Sequence, residues 1–204
     1  MAETFTSPIE KLSYALGLSM ASNIIGAGIK EVDSEKVLEA LNDALNGAEL
    51  KLGAEEANAT IQSFLNEKHA EAASESLVEG ESFLAENATK EGVIVMDCGI
   101  QYITLQEGNG AKPTLEQQVK CHYHGTLLDG SVFDSSVERN DPATFPLNAV
   151  IQGWQIALQE MQVGEKRRLF IPSNLAYGEQ GAGGAIGPNQ TLIFEVELLD
   201  IVSE

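Results

Sequence analysis

The sequence predicts an α+β chain in two parts: an all-α first half, then an antiparallel β half that carries one short helix. Three observations predict it. Apolar residues recur at helical spacing up to about residue 92 and at strand spacing beyond it. One proline, Pro8, precedes that point and five follow it. The second half also breaks into short β-like runs separated by glycines, a change of character that marks a domain boundary.

The elements follow in order. In "SPIEKLSYALGLSMASNII", Leu12, Leu16, Met20 and Ile24 make one stripe with Ala15 beside it, and Gly26 and Gly28 end the helix. "DSEKVLEALNDALNG" opens on Asp33 or Ser34 as N-cap and closes on Asn46-Gly47, with Val37, Leu38, Leu41, Ala44 and Leu45 as its stripe. From Gly53 to Gly92 no proline intervenes, which predicts a helix of roughly 55 Å at 1.5 Å per residue. Its apolar residues Ile61, Phe64, Leu65, Leu77, Phe83 and Leu84 are too sparse for a private core, and Gly80 reads as a weak point. Two short helices and the start of a third give a thin core, and domains of about 50 residues usually need added support. A second copy of the chain is the simplest support. Residues 1–53 are therefore read as a helical dimerisation domain, 54–92 as a long connecting helix, and 93–204 as a β domain.

In that domain, "GIQYITLQEGNG" alternates Ile100, Tyr102 or Ile103, and Leu105 as a strand. "EQQVKCHYHGTLLDGSVFDSS" holds two strands around an Asp129-Gly130 turn. "ATFPL" is a short strand, and "IQGWQIALQEM" is a helix packed on the sheet through Ile151, Trp154, Ile156, Leu158 and Met161. "GEKRRLFIPSNLAYG" is a strand ending at Pro172. "QTLIFEVELLDIV" is a long last strand with Leu192, Phe194, Val196 and Leu198 on one side.

Composition excludes several function classes. Acidic residues number 31 against 12 basic, a formal net charge of −19 with both halves acidic, so nucleic acid and anionic membrane surfaces are not expected partners. No run approaches the ~20 apolar residues of a membrane-spanning helix. The start "MAETFTSPIEKLSYALG" has Glu3 and Glu10 and no basic lead into an apolar core, so it is not read as a signal peptide. With two cysteines, Cys98 and Cys121, read as reduced thiols, the expectation is a cytoplasmic protein. It becomes periplasmic if a leader has been removed.

"GEQGAGGAIGP" lacks the Lys-Ser/Thr of a phosphate loop, and the register from Gly181 puts Ile186 where a dinucleotide fingerprint needs glycine. It reads as a flexible flap. His122 and His124 share a strand face but have no third ligand at metal spacing, so their role is structural and no metal or other cofactor is expected. Asp129, Ser131 and Asp134 do not make a calcium loop, and no serine or cysteine signature marks a covalent nucleophile. What remains is aromatic. Tyr123, Phe133, Phe145, Trp154, Tyr177 and Phe194 come from six separate segments, with Trp154 and Tyr177 read as rim residues. Such a pocket takes an apolar ligand oriented by a few hydrogen bonds. Phe133 and Asp134 are neighbours that strand alternation would send to opposite faces, so the strand must bend or end at Ser135-Ser136 for both to reach the pocket. A buried Asp134 carboxylate would need a partner, the Tyr123 hydroxyl first or Arg139 otherwise.

"CHYHGTLLDGSVFDSS", "VIQGWQIALQEMQVGEKRRLFIPSNLAYG" and "QTLIFEVELLDI" closely resemble the FKBP-type peptidyl-prolyl cis–trans isomerases, the immunophilins that bind tacrolimus and rapamycin. The likeness runs from about Gly99 to Val202. The first half resembles the helical dimerisation region of bacterial two-domain members, the macrophage infectivity potentiator group. The resemblance implies an antiparallel sheet curled around a short helix, with the site between them. By motif it implies Asp134, Ile151, Trp154 and Tyr177 as catalytic residues, and Tyr123, Phe133, Phe145, Val150, Ile186 and Phe194 as substrate-binding residues. Trp154 would be the pocket floor. The flap departs from the eukaryotic pattern at Ala182, Ala185 and Gly187-Pro188, which bears on macrolide affinity and substrate preference.

The implied reaction explains the empty chemical inventory. The barrier to X–Pro isomerisation, about 18–20 kcal/mol, is lost amide resonance, and no bond is made or broken. A twisted amide has less charge separation than a planar one and suits a dry aromatic pocket. Trp154, Phe133, Tyr123 and Phe194 would hold the prolyl ring. The Ile151 amide and the Tyr177 hydroxyl would orient the flanking carbonyls, and Asp134 would shape the field there. The expected partners are proline-containing unfolded or partly folded polypeptides, held in a V-shaped clamp by a homodimer through residues 1–53. Tacrolimus and rapamycin are the expected inhibitors. The rival from another class is a non-catalytic peptide-binding or chaperone module on the same scaffold.

Overall fold

The computed structural model describes residues 5–202. They form two compact units, one up to Lys68 and one from His69 onward.

The first unit holds α1 (Pro8–Gly26), α2 (Ser34–Asn46) and the start of α3 (Ala54–Asn87). The ends of α2 follow from local chemistry. The Asp33 carboxylate accepts from the Glu35 and Lys36 amides, and Gly47 ends the helix at φ 67°, a left-handed value that favours glycine. No residue of α1 or α2 is buried; Leu12, Leu16 and Leu18 of α1 and Leu38 and Leu45 of α2 all face solvent. The thin core expected from the sequence is thinner still in a single chain.

In the second unit, the described residues form one antiparallel sheet of seven strands. They are β1 (Ile94–Val95), β2 (Gln101–Gln106), β3 (Gln118–Thr126), β4 (Val132–Ser135), β5 (Ala143–Pro146), β6 (Lys166–Ile171) and β7 (Leu192–Val202). The order is β1-β2-β6-β7-β3-β4, with β5 pairing with part of β3. The short helix α4 (Gln152–Gln159) lies against one face. Its Trp154, Ala157 and Leu158 share a core with Leu169 and Ile171 of β6 and with Leu192, Phe194, Val196 and Leu198 of β7, the alternation read from the sequence.

The other face of the sheet meets the end of α3, and this changes three expectations. Phe83 lies 5.8 Å from Phe170 of β6 between ring centroids. Gln101, opposite Phe170 in the register, is buried and bonds Asn87 and the Leu84 carbonyl. Leu105, expected on the apolar side of β2, is instead 43% exposed, beyond the reach of that helix. Gly80 is no weak point: it is buried, and a Cβ there would collide with the Thr191 hydroxyl. The helix also ends at Asn87, five residues short of the compositional change, and the second unit includes its residues from His69 on. Composition marks where helix gives way to strand, whereas packing groups the last turns of α3 with the sheet. Among the described residues, no helix is long and apolar enough to cross a membrane.

Candidate active site

The hairpin that delivers Phe133 and Asp134 begins as its sequence requires. The Gly130 amide donates to the Leu127 carbonyl, Gly130 takes φ 84°, and the Asp129 carboxylate accepts from the Ser131 amide and hydroxyl. The next step could not be read from alternation. Thr126 pairs with Val132, but Gly125 pairs with Asp134, so Phe133 is the extra residue of a β-bulge. The bulge re-aims Phe133, and both it and Asp134 line one cavity. The strand ends at Ser135, and the buried Ser136 hydroxyl then accepts from the Tyr123 amide at 2.7 Å, fixing the strand segment that carries Tyr123.

That cavity has a volume of about 510 Å³ and lies between the sheet, α4 and the loop after Tyr177. All ten residues singled out from the sequence line it: Tyr123, Phe133, Asp134, Phe145, Val150, Ile151, Trp154, Tyr177, Ile186 and Phe194. Ala182 and Ala185 of the flap line it too, as do Ala149 and Gly183, which sequence reasoning missed because small loop residues carry no pattern.

Trp154 is only 5% exposed, so it is floor rather than rim; the first turn of α4 points inward onto the sheet. Its indole stands edge-on to Tyr123 and Phe194, with centroids at 5.4 and 5.1 Å, and is tilted against Phe145 at 5.5 Å. Phe133 stands edge-on to Phe194 at 5.3 Å. These are the geometries that aromatic quadrupoles favour. Tyr177, 41% exposed, does stand at the mouth. Neither its hydroxyl nor the Ile151 amide donates to a protein acceptor among the described residues. Ile151 is the residue before α4, where amides have no partner within the helix.

Asp134 has both partners rather than one. The Tyr123 hydroxyl donates to its Oδ2 at 2.5 Å, Arg139 Nη1 bonds its Oδ1, and Arg139 Nη2 donates to the Tyr123 oxygen at 3.0 Å. Its side chain is 42% exposed, so the buried carboxylate expected from the sequence is instead a lip residue. Partial burial pushes its pKa up, but the bonds from Tyr123 and Arg139 outweigh that and hold it below the usual carboxylate range. Burial, then the Asp134 carboxylate, raises the Tyr123 and Tyr177 phenols.

His122 and His124 bond the Ser136 and Ser135 hydroxyls at 3.0 and 2.9 Å and are absent from the cavity lining. Gly125 makes room for the aromatics: a Cβ there would come within 2.6 Å of the Phe133 ring and 2.9 Å of the Phe194 ring. Gly125→Ala is therefore expected to cost about 1–3 kcal/mol of stability through overpacking. It should also raise KM for a prolyl peptide by displacing Phe133, which urea unfolding and steady-state kinetics would measure.

Sequence profiles match both halves of the chain. That of FKBP-type peptidyl-prolyl cis–trans isomerases matches residues 109–199, and that of the domain amino terminal to such isomerases matches residues 9–103. The FKBP-type peptidyl-prolyl cis–trans isomerase FkpA of Aeromonas hydrophila is 46% identical over 94% of this chain and 76% of its own length. The chain belongs to the FKBP-type peptidyl-prolyl cis–trans isomerases. The isomerase is also 40% identical to the peptidyl-prolyl cis–trans isomerase Mip of Coxiella burnetii, over 94% of this chain and 86% of that one. The crystal structure of FkpA from Escherichia coli superposes with a TM-score of 0.76 at 33% identity, covering 97% of this isomerase and 98% of that chain. The α+β architecture, helices first and the sheet with its short helix after them, is thus that of a solved relative.

Proposed function

We propose that the aromatic cavity is where the isomerase turns X–Pro bonds, with Trp154 as floor and Tyr123, Phe133, Phe145, Val150, Ile186 and Phe194 as walls around the prolyl ring. The observation that carries this reading is the pairing of an apolar cup with two donors that have no protein partner among the described residues, the Ile151 amide and the Tyr177 hydroxyl. The cup excludes water and so favours the less polar twisted amide over the planar one, while the donors hold the flanking carbonyls as the bond rotates. Asp134, fixed by Tyr123 and Arg139, supplies field rather than a proton. A protease-coupled assay on a prolyl peptide tests the site. Asp134→Ala should lower kcat/KM on the order of tenfold, about 1.4 kcal/mol of transition-state stabilisation; an unchanged rate would remove Asp134 from the site.

The protonation states sharpen the test. A carboxyl whose folded pKa lies below its unfolded value adds stability above the unfolded value and loses it as pH falls through the folded one. The Asp134 network is therefore charged and intact at neutral pH, and its phenols titrate above the usual tyrosine range. The rate of a field-shaping Asp134 is expected to stay flat from about pH 6 to 9, between the ordinary aspartate and tyrosine ranges. An inflection inside that window would show that a group titrating there takes part in the rate, which the field-shaping role does not allow.

The exposed apolar residues of α1 and α2 support a homodimer through residues 1–53, which would bury them. Light scattering should give twice the chain mass, and a Leu12→Asp, Leu16→Asp variant should give one; a monomeric wild type would overturn the dimer. On this reading the partners are unfolded or partly folded polypeptides, held by the dimer while their prolines turn. Tacrolimus or rapamycin would compete for the cavity, tested by titration against the peptide assay. The free thiols Cys98 and Cys121 support a reducing, cytoplasmic setting, which cell fractionation tests.

A further inference from the structure

The flap is tied to α3. It runs from Tyr177 to Gln190 and closes on itself twice. Ala182 and Ile186 exchange amide bonds at 2.8 and 3.0 Å around Gly183 and Gly184, and the Asn189 amide donates to the Gly178 carbonyl at 2.8 Å. Its C-terminal root then leaves the cavity side of the domain and reaches the helix. The Asn189 side chain donates to the Ala73 carbonyl at 3.2 Å, and Gln190 Nε2 donates to the Ser76 hydroxyl at 2.7 Å. The next residue, Thr191, is buried against Gly80 with no room for a Cβ. Asn189 holds φ 51°, a left-handed value that asparagine adopts more readily than most residues, and its side chain makes the tie from that conformation. Three successive residues are thus fastened to successive turns of one helix, three residues after Ile186, which forms a cavity wall.

We propose that Asn189 and Gln190 are positioning residues for the reaction: by hooking the flap root onto Ala73 and Ser76 of α3, they set where Ile186, Ala182 and Ala185 stand over the prolyl pocket. The proposal rests on the reading of the cavity as the substrate site. Its physical basis is entropic. The internal bonds hold the flap's own shape, but a glycine-rich loop with left-handed residues at Gly181, Gly183 and Gly184 can still swing as a unit, so its resting position over the cavity comes from its anchors. An unanchored flap would sample open positions, and only the closed fraction would bind tightly, which raises KM and leaves the rotation step alone.

The test uses the full chain and steady-state kinetics on a prolyl peptide. Gln190→Ala and Ser76→Ala are each expected to raise KM about threefold to tenfold, the value of one net hydrogen bond, with kcat within about twofold. The double variant should match the singles, because both remove the same bond. Gln190→Glu should keep KM near wild type, since the Ser76 hydroxyl can donate to a carboxylate. Gly80→Ala, which favours the helix but crowds Thr191, should raise KM from the helix side. A merely structural tie would lower the thermal midpoint of these variants and leave KM unchanged, and that result overturns the proposal. Trp154→Leu in the same assay checks the cavity separately. If it is impaired while the anchor variants are not, only the anchor fails; if it keeps wild-type kinetics, the cavity reading itself fails.

Discussion

Trp154→Ala is expected to lower the unfolding free energy by about 3–5 kcal/mol and to bring isomerase activity down to the uncatalysed background. The indole sits between Tyr123, Phe145 and Phe194, and each aromatic pair adds about 0.5–1.5 kcal/mol beyond burial. Alanine would leave a cavity that these rings, held by strands β3, β5 and β7, cannot close. Small domains have about 5–15 kcal/mol in all, so the variant should unfold at much lower denaturant. Trp154→Phe separates the two effects: it should recover most of the stability but less of the activity, because a smaller ring lowers the floor on which proline rests. Urea unfolding and the protease-coupled assay report them independently. Full activity in a folded Trp154→Ala protein would show that the prolyl ring rests elsewhere.

Glu165→Ala should be as damaging to stability while touching no residue of the cavity. The Glu165 and Arg167 side chains are 5% and 9% exposed and bond through Oε1 and Nε. Glu165 Oε2 also accepts from the Gln162 amide at 2.9 Å, and Arg167 Nη2 donates to the Glu160 carbonyl at the end of α4 at 3.1 Å. The guanidinium lies over Tyr102, 4.2 Å from its centroid. Removing Glu165 strands a buried cation, a loss of about 3–5 kcal/mol. Replacing the pair together, Glu165→Gln with Arg167→Met, is expected to be far milder, because Arg167 Nη1 has no acceptor among the described residues and the native pair is incompletely compensated. A double-mutant cycle followed by thermal unfolding measures the coupling. Additive losses would mean that the two side chains contribute separately.

Much of the fold and the cup was legible because it rests on local rules. The Asp33 cap and the Gly47 stop of α2 follow from side-chain and backbone chemistry within a few residues. The β7 face of Leu192, Phe194, Val196 and Leu198 follows from strand alternation. The ten cavity residues were named by motif, and each motif is local. Errors came where a distant element decided. Gln101 is buried and Leu105 is not, because the end of α3 covers one end of β2 and not the other. Trp154 is floor because α4 turns its first residues onto the sheet.

The sequence by itself determined the two-part architecture, the ends of α2, the apolar face of β7 and the aromatic composition of the cup. All of these are set by contacts within a turn or by a period of two or 3.6 residues. Only the tertiary structure decided three things: the bulge that brings Phe133 and Asp134 to one side, the joint hold of Tyr123 and Arg139 on Asp134, and the seat of the flap root on α3. Each depends on register between segments far apart in the chain, and a local pattern carries no record of register.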